Sequence, residues 1–420
     1  MNRRAFLRLS VGASVGLGLG LEPAWAEPAA RSGAPHPQTR KQTVFVVVLL
    51  RGAADGLSVL VPHGDAEYYR LRKQIAIAPP AKGGDGKRAI DLDGHFGLHP
   101  RLAPLRAAWE AGQLAPIVGF GSPDPTRSHF DAQDRMELGT PREAGKQSPH
   151  YQSGFLNRMA GALGLVDPLG AVALASNMPM ILRGTAPALS LENIDEFGLD
   201  APESARLRLE AGFERLYAKA QGRSRRISDA GRVGLEALRE LRRLPRRGSS
   251  AEYPPGGLGS NLRDLARLVH GVPSLRLGFV EVGGWDTHTN QGGASAGRLA
   301  RALDELGRGL AAFREDLGDA QSRVVTLVMT EFGRTAAQNG SGGTDHGHGS
   351  VALLLGGPVR GKRVLGHWPG LGADSLHQGR DVAVTTDFRD VVSEVATQHL
   401  GLKADAVFPG RATAKTLGAF

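Results

Sequence analysis

Three features of the chain predict an α/β fold, with a mainly parallel central sheet and helices on both faces. Its apolar runs are short and nearly continuous in Val and Leu, as in strands covered on both sides. Amphipathic stretches of helical period lie between them. The order strand, helix, strand then calls for crossover connections, which set strands in parallel.

The first strand is expected over residues 43–50, and further strands over 115–120 and 171–174. Helices are expected over 204–220 and 229–244, followed by a Gly- and Pro-rich loop over 245–259. A strand at 275–282 precedes the clearest helix, in which Leu299, Leu303, Leu306, Leu310, Phe313 and Leu317 form one apolar stripe. Strands at 323–330 and 351–355 complete the series. Residues 43–420 therefore read as one α/β domain carrying a helical, Arg-rich insertion at about 203–257.

Ahead of that domain, Asn2-Arg3-Arg4-Ala5-Phe6-Leu7-Arg8 forms a twin-arginine region, a weakly apolar run covers 9–21, and Ala24-Trp25-Ala26 has the form of a cleavage site. The expectation is a signal peptide over residues 1–26 and a flexible spacer over 27–42. The twin-arginine translocase would carry the folded protein to the periplasm or beyond. Crossing a bilayer takes about 20 apolar residues. The run at 9–21 is shorter, Gly-rich and ended by Glu22-Pro23. No stable membrane span is expected there or later.

The chain has no cysteine, which excludes disulfides, thiolate metal sites, iron-sulfur clusters and Cys nucleophiles. Any metal must be held by His, Asp or Glu. The net charge of +9 is local: residues 1–26 carry +2, residues 223–247 carry +6, and the remainder only +1. Nucleic acid is therefore not expected as a partner, and aromatic stacking residues are almost absent from the basic stretch. That stretch reads as a solvated helix face or, alternatively, as a docking surface for an acidic partner.

Ligands of open α/β sheets bind beyond the carboxyl ends of the strands, and here those ends are unusually polar. They read Arg51-Gly-Ala-Ala-Asp55-Gly56, then Ser122-Pro-Asp124-Pro-Thr126-Arg127-Ser128-His129, then Gly283-Gly284-Trp285-Asp286-Thr287-His288. A fourth end, Glu331-Phe-Gly-Arg334-Thr335, opens a long loop that finishes in Gly343-Thr344-Asp345-His346-Gly347-His348-Gly349. Asp286, His288, Asp345, His346 and His348, with Asp55 as a sixth, are oxygen and nitrogen donors suited to a divalent metal. Zinc, manganese and calcium are not distinguished, and a pair of ions about 3.5–4 Å apart would suit phosphoryl-type displacement.

Other groups read more blandly. His129 with Asp131 and Asp134 forms either a network behind the ligands or the acidic first turn of a helix. Glu331 and Arg334 either orient a ligand or pair with each other. His95 and His99 read as surface or capping residues. Gly356-Gly-Pro-Val-Arg-Gly361-Lys362 imitates a phosphate loop, but Arg363 replaces the required hydroxyl residue and Pro358 lacks a donor. It reads as a turn.

The strand-end blocks, together with Thr385-Thr-Asp-Phe-Arg389, resemble the signature blocks of a bacterial family typically exported by the twin-arginine route, the domain-of-unknown-function family 1501. The resemblance runs from about residue 43 to the end. That family is similar in turn to the alkaline phosphatase and sulfatase superfamily, which implies an alkaline-phosphatase-like fold. It also implies metal ligands at Asp55, at Asp286 with His288, and at Asp345 with His346, and a hydroxyl nucleophile at Thr126 or Ser128. The chain departs from the pattern in three ways. No sulfatase motif surrounds either hydroxyl, and the lack of Cys closes the common formylglycine route. Asp286 and His288 are spaced more tightly than the matching phosphatase pair, and His348, His367 and His377 compete for a third imidazole role.

The resulting expectation is an exported metal-dependent hydrolase of phosphate or sulfate esters, acting on a small anionic ester or glycan through Ser128 or Thr126. The alternative is a non-catalytic, metal-containing accessory or binding protein on the same fold.

Overall fold

The computed structural model describes residues 42–82, 86–139, 153–197, 202–218, 224–245, 249, 251–411 and 414–420. The expected signal peptide, and all of the expected spacer except Gln42, lie outside these residues. Eight strands form the main sheet: β1 (Val44–Leu50), β2 (Leu114–Gly121), β3 (Ala171–Leu174), β4 (Leu189–Leu191), β5 (Leu277–Val282), β6 (Val324–Thr330), β7 (Ser350–Gly356) and β8 (Thr386–Asp387). Their spatial order is β8-β2-β7-β6-β1-β5-β3-β4. Only β7 runs against its neighbours β2 and β6; the other pairings are parallel.

The principal helices are α1 (His129–Leu138), α2 (Phe155–Ala162), α3 (Glu203–Ala218), α4 (Ser224–Arg243), α5 (Gly257–Gly271), α6 (Arg298–Leu317) and α7 (Phe388–Glu394). The Val/Leu run of β1 divides between two cores. Val44, Val46, Val48 and Leu50 face a layer that includes Leu262 and Leu265 of α5 and Leu303 and Leu306 of α6. Phe45, Val47 and Leu49 face a layer that includes Leu156 and Met159 of α2 and Val391 and Val392 of α7. Side chains alternate across a strand, so a strand buried on both faces must be apolar at every position.

All six expected strands form, with ends displaced by at most two residues. Strands β4 and β8 escaped the sequence reading because three and two residues are too few to show a period. Helix α5 begins inside the expected loop, its stripe of Leu258, Leu262, Leu265 and Leu268 masked by a Gly-rich opening turn. Among the described residues no helix is long and apolar enough to cross a membrane.

The sheet sets up the site through strand direction. Carboxyl ends of parallel β1, β2, β5 and β6 share one edge, and antiparallel β7 brings its amino end to that same edge. Gly52 lets two of these loops touch: its φ is +118°, and a Cβ there would lie 2.5 Å from the Asp286 backbone nitrogen. Any side chain would push the loops apart.

Candidate functional site

Three imidazoles and a carboxylate converge at the carboxyl edge of the sheet. His129 is the first residue of α1, beyond β2; Asp286 and His288 follow β5; His346 lies in the loop entering β7. His346 Nε2 is 3.0 Å from His129 Nε2 and 2.9 Å from His288 Nε2. Asp286 Oδ1 lies 3.0 Å from His288 Nε2 and 3.5 Å from His346 Nε2, while its Oδ2 is 3.6 Å from His129 Nε2. One ligand atom from each of His129, Asp286 and His346 falls within 4.8 Å of the others.

The far side of each ring is held by an acceptor. His129 Nδ1 is 2.8 Å from Glu331 Oε1, His288 Nδ1 is 3.0 Å from Asp345 Oδ1, and His346 Nδ1 is 2.9 Å from the Arg127 carbonyl oxygen. Carboxylates and carbonyls only accept, so Nδ1 of His129 and of His346 carries the hydrogen, and these rings when neutral turn Nε2 lone pairs toward each other at 3.0 Å. His288 faces a carboxylate oxygen from both nitrogens, Asp345 from Nδ1 and Asp286 from Nε2. A proton or a cation between His129 and His346 would relieve their contact, and rings oriented through Nδ1 in this way are also a feature of metal sites.

Arg334 closes the inner side. Its fully buried guanidinium contacts Asp286, donates to the carbonyls of Ala53 and Thr344 at 2.8 and 3.2 Å, and lies 3.5 Å from His288 Nε2. Partial burial works to raise the Asp286 pKa, but Arg334 outweighs it and holds the carboxyl below its ordinary value. Burial also works against ionised Glu331, which is nevertheless held low by His129, Gln133 and the Gly52 N–H. The bond to Glu331 raises His129, whereas burial lowers His346 and favours its neutral form.

The remaining expected site residues lie elsewhere or one step behind. Asp345 orients His288 and accepts from Asn339 Nδ2 at 3.1 Å, rather than joining the cluster. Asp55 is buried in an ion pair with Arg72, at 2.6 and 2.9 Å, and also accepts from Ser58 and Gln291. Both its oxygens are thus committed away from the cluster. His348 turns Nε2 to the Ser122 carbonyl at 3.1 Å and stacks edge-on against His377. Exposed Ser128 caps α1, accepting from the Asp131 N–H, and the Thr126 hydroxyl accepts from the Ser128 N–H at 3.3 Å. His129, by contrast, was legible only as part of a network behind the ligands. Its signal was its place as the first His beyond β2.

The family model described as "Protein of unknown function (DUF1501)" matches residues 42–408. The chain belongs to the DUF1501 family. No curated protein matches this DUF1501 chain. Among solved structures it is similar to "Crystal structure of Ps i-CgsB", with 12% identity, a TM-score of 0.35, and coverage of 86% of this chain and 73% of that one. It is also similar to the PH0037 protein from Pyrococcus horikoshii, with 10% identity, a TM-score of 0.27, and coverage of 76% and 89%.

Proposed function

We propose that this DUF1501 protein is an exported, metal-dependent hydrolase of small phosphate or sulfate esters, akin to the alkaline phosphatase and sulfatase superfamily. The divalent ion would be held by His129, Asp286, His288 and His346. The observation that carries this reading is the convergence of three imidazole Nε2 atoms on one carboxylate. Two imidazole nitrogens bound tetrahedrally to one zinc ion stand about 3.3 Å apart, so the separations of 2.9 and 3.0 Å need to open only by a few tenths of an ångström. When bound, the ion supplies Lewis acidity toward an anionic ester.

The chain's own groups support that role. Asp286, His288, His129 and His346 are all partly exposed, with 23–45% of each side chain open to solvent, so a substrate can reach them. Arg127 and Arg380 lie beside His346 and share the single buried carboxylate of Asp381. Two guanidinium groups against one carboxylate leave a net positive rim suited to an ester's anionic group. The free N–H groups at the start of α1 add to it.

Capping by Ser128 and Thr126 favours water over a protein hydroxyl as the attacking group. The same capping gives the rival reading, a metal-containing accessory protein without turnover, its one specific support. Metal analysis of the purified full-length protein, followed by turnover of phosphate and sulfate esters with and without chelator, separates the readings. Bound metal with chelator-sensitive turnover is the expected result. Bound metal without turnover would favour the accessory role, and no bound metal would end both.

A further inference from the structure

We propose that the centre takes one divalent ion and not two, because the buried guanidinium of Arg334 fills the flank of Asp286 where a second ion would sit. This deepens the metal reading above and rests on it.

Charge supplies the first argument. The carboxylates in contact with the imidazole cluster are Asp286, Glu331 and Asp345, and the Arg334 guanidinium is held against Asp286. Three negative charges and one positive leave −2, and Arg127 and Arg380 with Asp381 beside His346 add +1, so the pocket carries −1 before any ion binds. One divalent ion brings it to +1, whereas a second would leave +3 in a partly buried pocket, at a Coulomb cost that low dielectric magnifies. The Asp55–Arg72 pair is neutral by itself and adds nothing to either side.

The donor inventory gives the same answer independently. Glu331 Oε1 already accepts from His129, Gln133 and the Gly52 N–H, and its Oε2 from Thr330. Asp345 Oδ1 is taken by His288 Nδ1 and Asn339, which leaves only its Oδ2, behind the His288 ring and away from the Nε2 cluster. Asp55 is taken on both oxygens. Asp286 Oδ1 receives Arg334, which leaves Oδ2 for the single ion. Arg334 itself cannot retreat. Its Nη2 also donates to the Gly52 carbonyl at 3.1 Å, and its Nε to that of Ala53 at 2.8 Å, so both bonds tie it to the loop after β1. Guanidinium keeps its charge at all accessible pH values, so a fixed cation stands permanently against the ligand carboxylate.

The test is stoichiometry. Full-length protein is stripped, reloaded with excess Mn²⁺, desalted, and measured by elemental analysis and electron paramagnetic resonance. The expected result is one Mn²⁺ per chain with the six-line spectrum of an isolated ion. Two ions per chain with an exchange-coupled spectrum would overturn this proposal while leaving the metal reading intact; no retained Mn²⁺ or Zn²⁺ would overturn both. Arg334→Lys, which keeps the charge, should retain the single-ion spectrum. Arg334→Gln, if its near-ultraviolet circular dichroism shows a native fold, should admit a second ion. A folded Arg334→Gln protein restricted to one ion would overturn the role given to Arg334. Should that variant not fold, the wild-type count still decides the question of one ion or two.

Discussion

Replacing Asp55 with Asn should lower stability and leave the metal content unchanged. The Asp55 and Arg72 side chains are 1% and 0% exposed and meet at 2.6 Å. Removing one charge of such a pair strands the other in the interior, which typically costs about 3–5 kcal/mol. Arg72 also donates to the Ala336 and Thr335 carbonyls, and this partial compensation points to the lower end. The domain expected over residues 43–420, unfolding with about 2.1 cal/mol/K per residue, converts that cost to a Tm decrease of about 4–6 °C. Burial opposes the charge on Asp55, but Arg72 prevails and holds its pKa below the usual carboxylate value. The pair therefore stabilises the fold at pH values above the unfolded carboxyl's pKa, about 3.9, and that stability is lost as pH falls through the lower folded value. The gap between wild type and variant should close under acid. Calorimetry and elemental analysis on the same full-length samples are the assay. A folded Asp55→Asn protein that loses its metal would refute the reasoning and make Asp55 a ligand.

His346→Ala should lose bound metal and the metal-dependent part of its Tm together, since an ion at 100 times its Kd stabilises by about 2.7 kcal/mol; an unchanged metal content would remove His346 from the ligand set. Ser128→Ala should cost about 1 kcal/mol as a lost helix cap and keep any ester turnover, whereas a folded, metal-loaded but inactive variant would make Ser128 the nucleophile. Burial pushes His99 down to about 4, so wild type should lose about 3 kcal/mol between pH 6.5 and 4 as only the unfolded chain takes up that proton. His99→Asn, which keeps an N-cap side chain, should flatten that acid limb in urea titrations, and parallel limbs would contradict the assignment. Arg380→Gln should raise KM for an anionic ester several-fold with little change in kcat; an unchanged KM would remove Arg380 from substrate binding.

Much of the architecture was legible because burial on both faces leaves its mark in the residues themselves. The run Val44–Leu50 is apolar throughout because each face meets a different core, and the stripe of α6 is periodic because only one face of that helix is covered. Short β4 and β8 left no such mark: their three and two residues are set by neighbouring strands, not by their own pattern. Two residues of the cluster that lie two positions apart in sequence, Asp286 and His288, could be singled out from the polar block after β5, because a strand end delivers both to one place.

The sequence by itself determined which side chains reach the carboxyl edge of the sheet: an apolar run must end where its loop begins, and the polar residues gathered there are local facts. Tertiary structure alone decided which of them meet. His129, Asp286, His288 and His346 come from three distant segments and share one point, while Asp55, equally well placed in sequence, is claimed by Arg72 from 17 residues away. The difference is physical. A ligand set is fixed by separations of about 3 Å between atoms on different segments, and a buried carboxylate goes to whichever cation packing brings within reach.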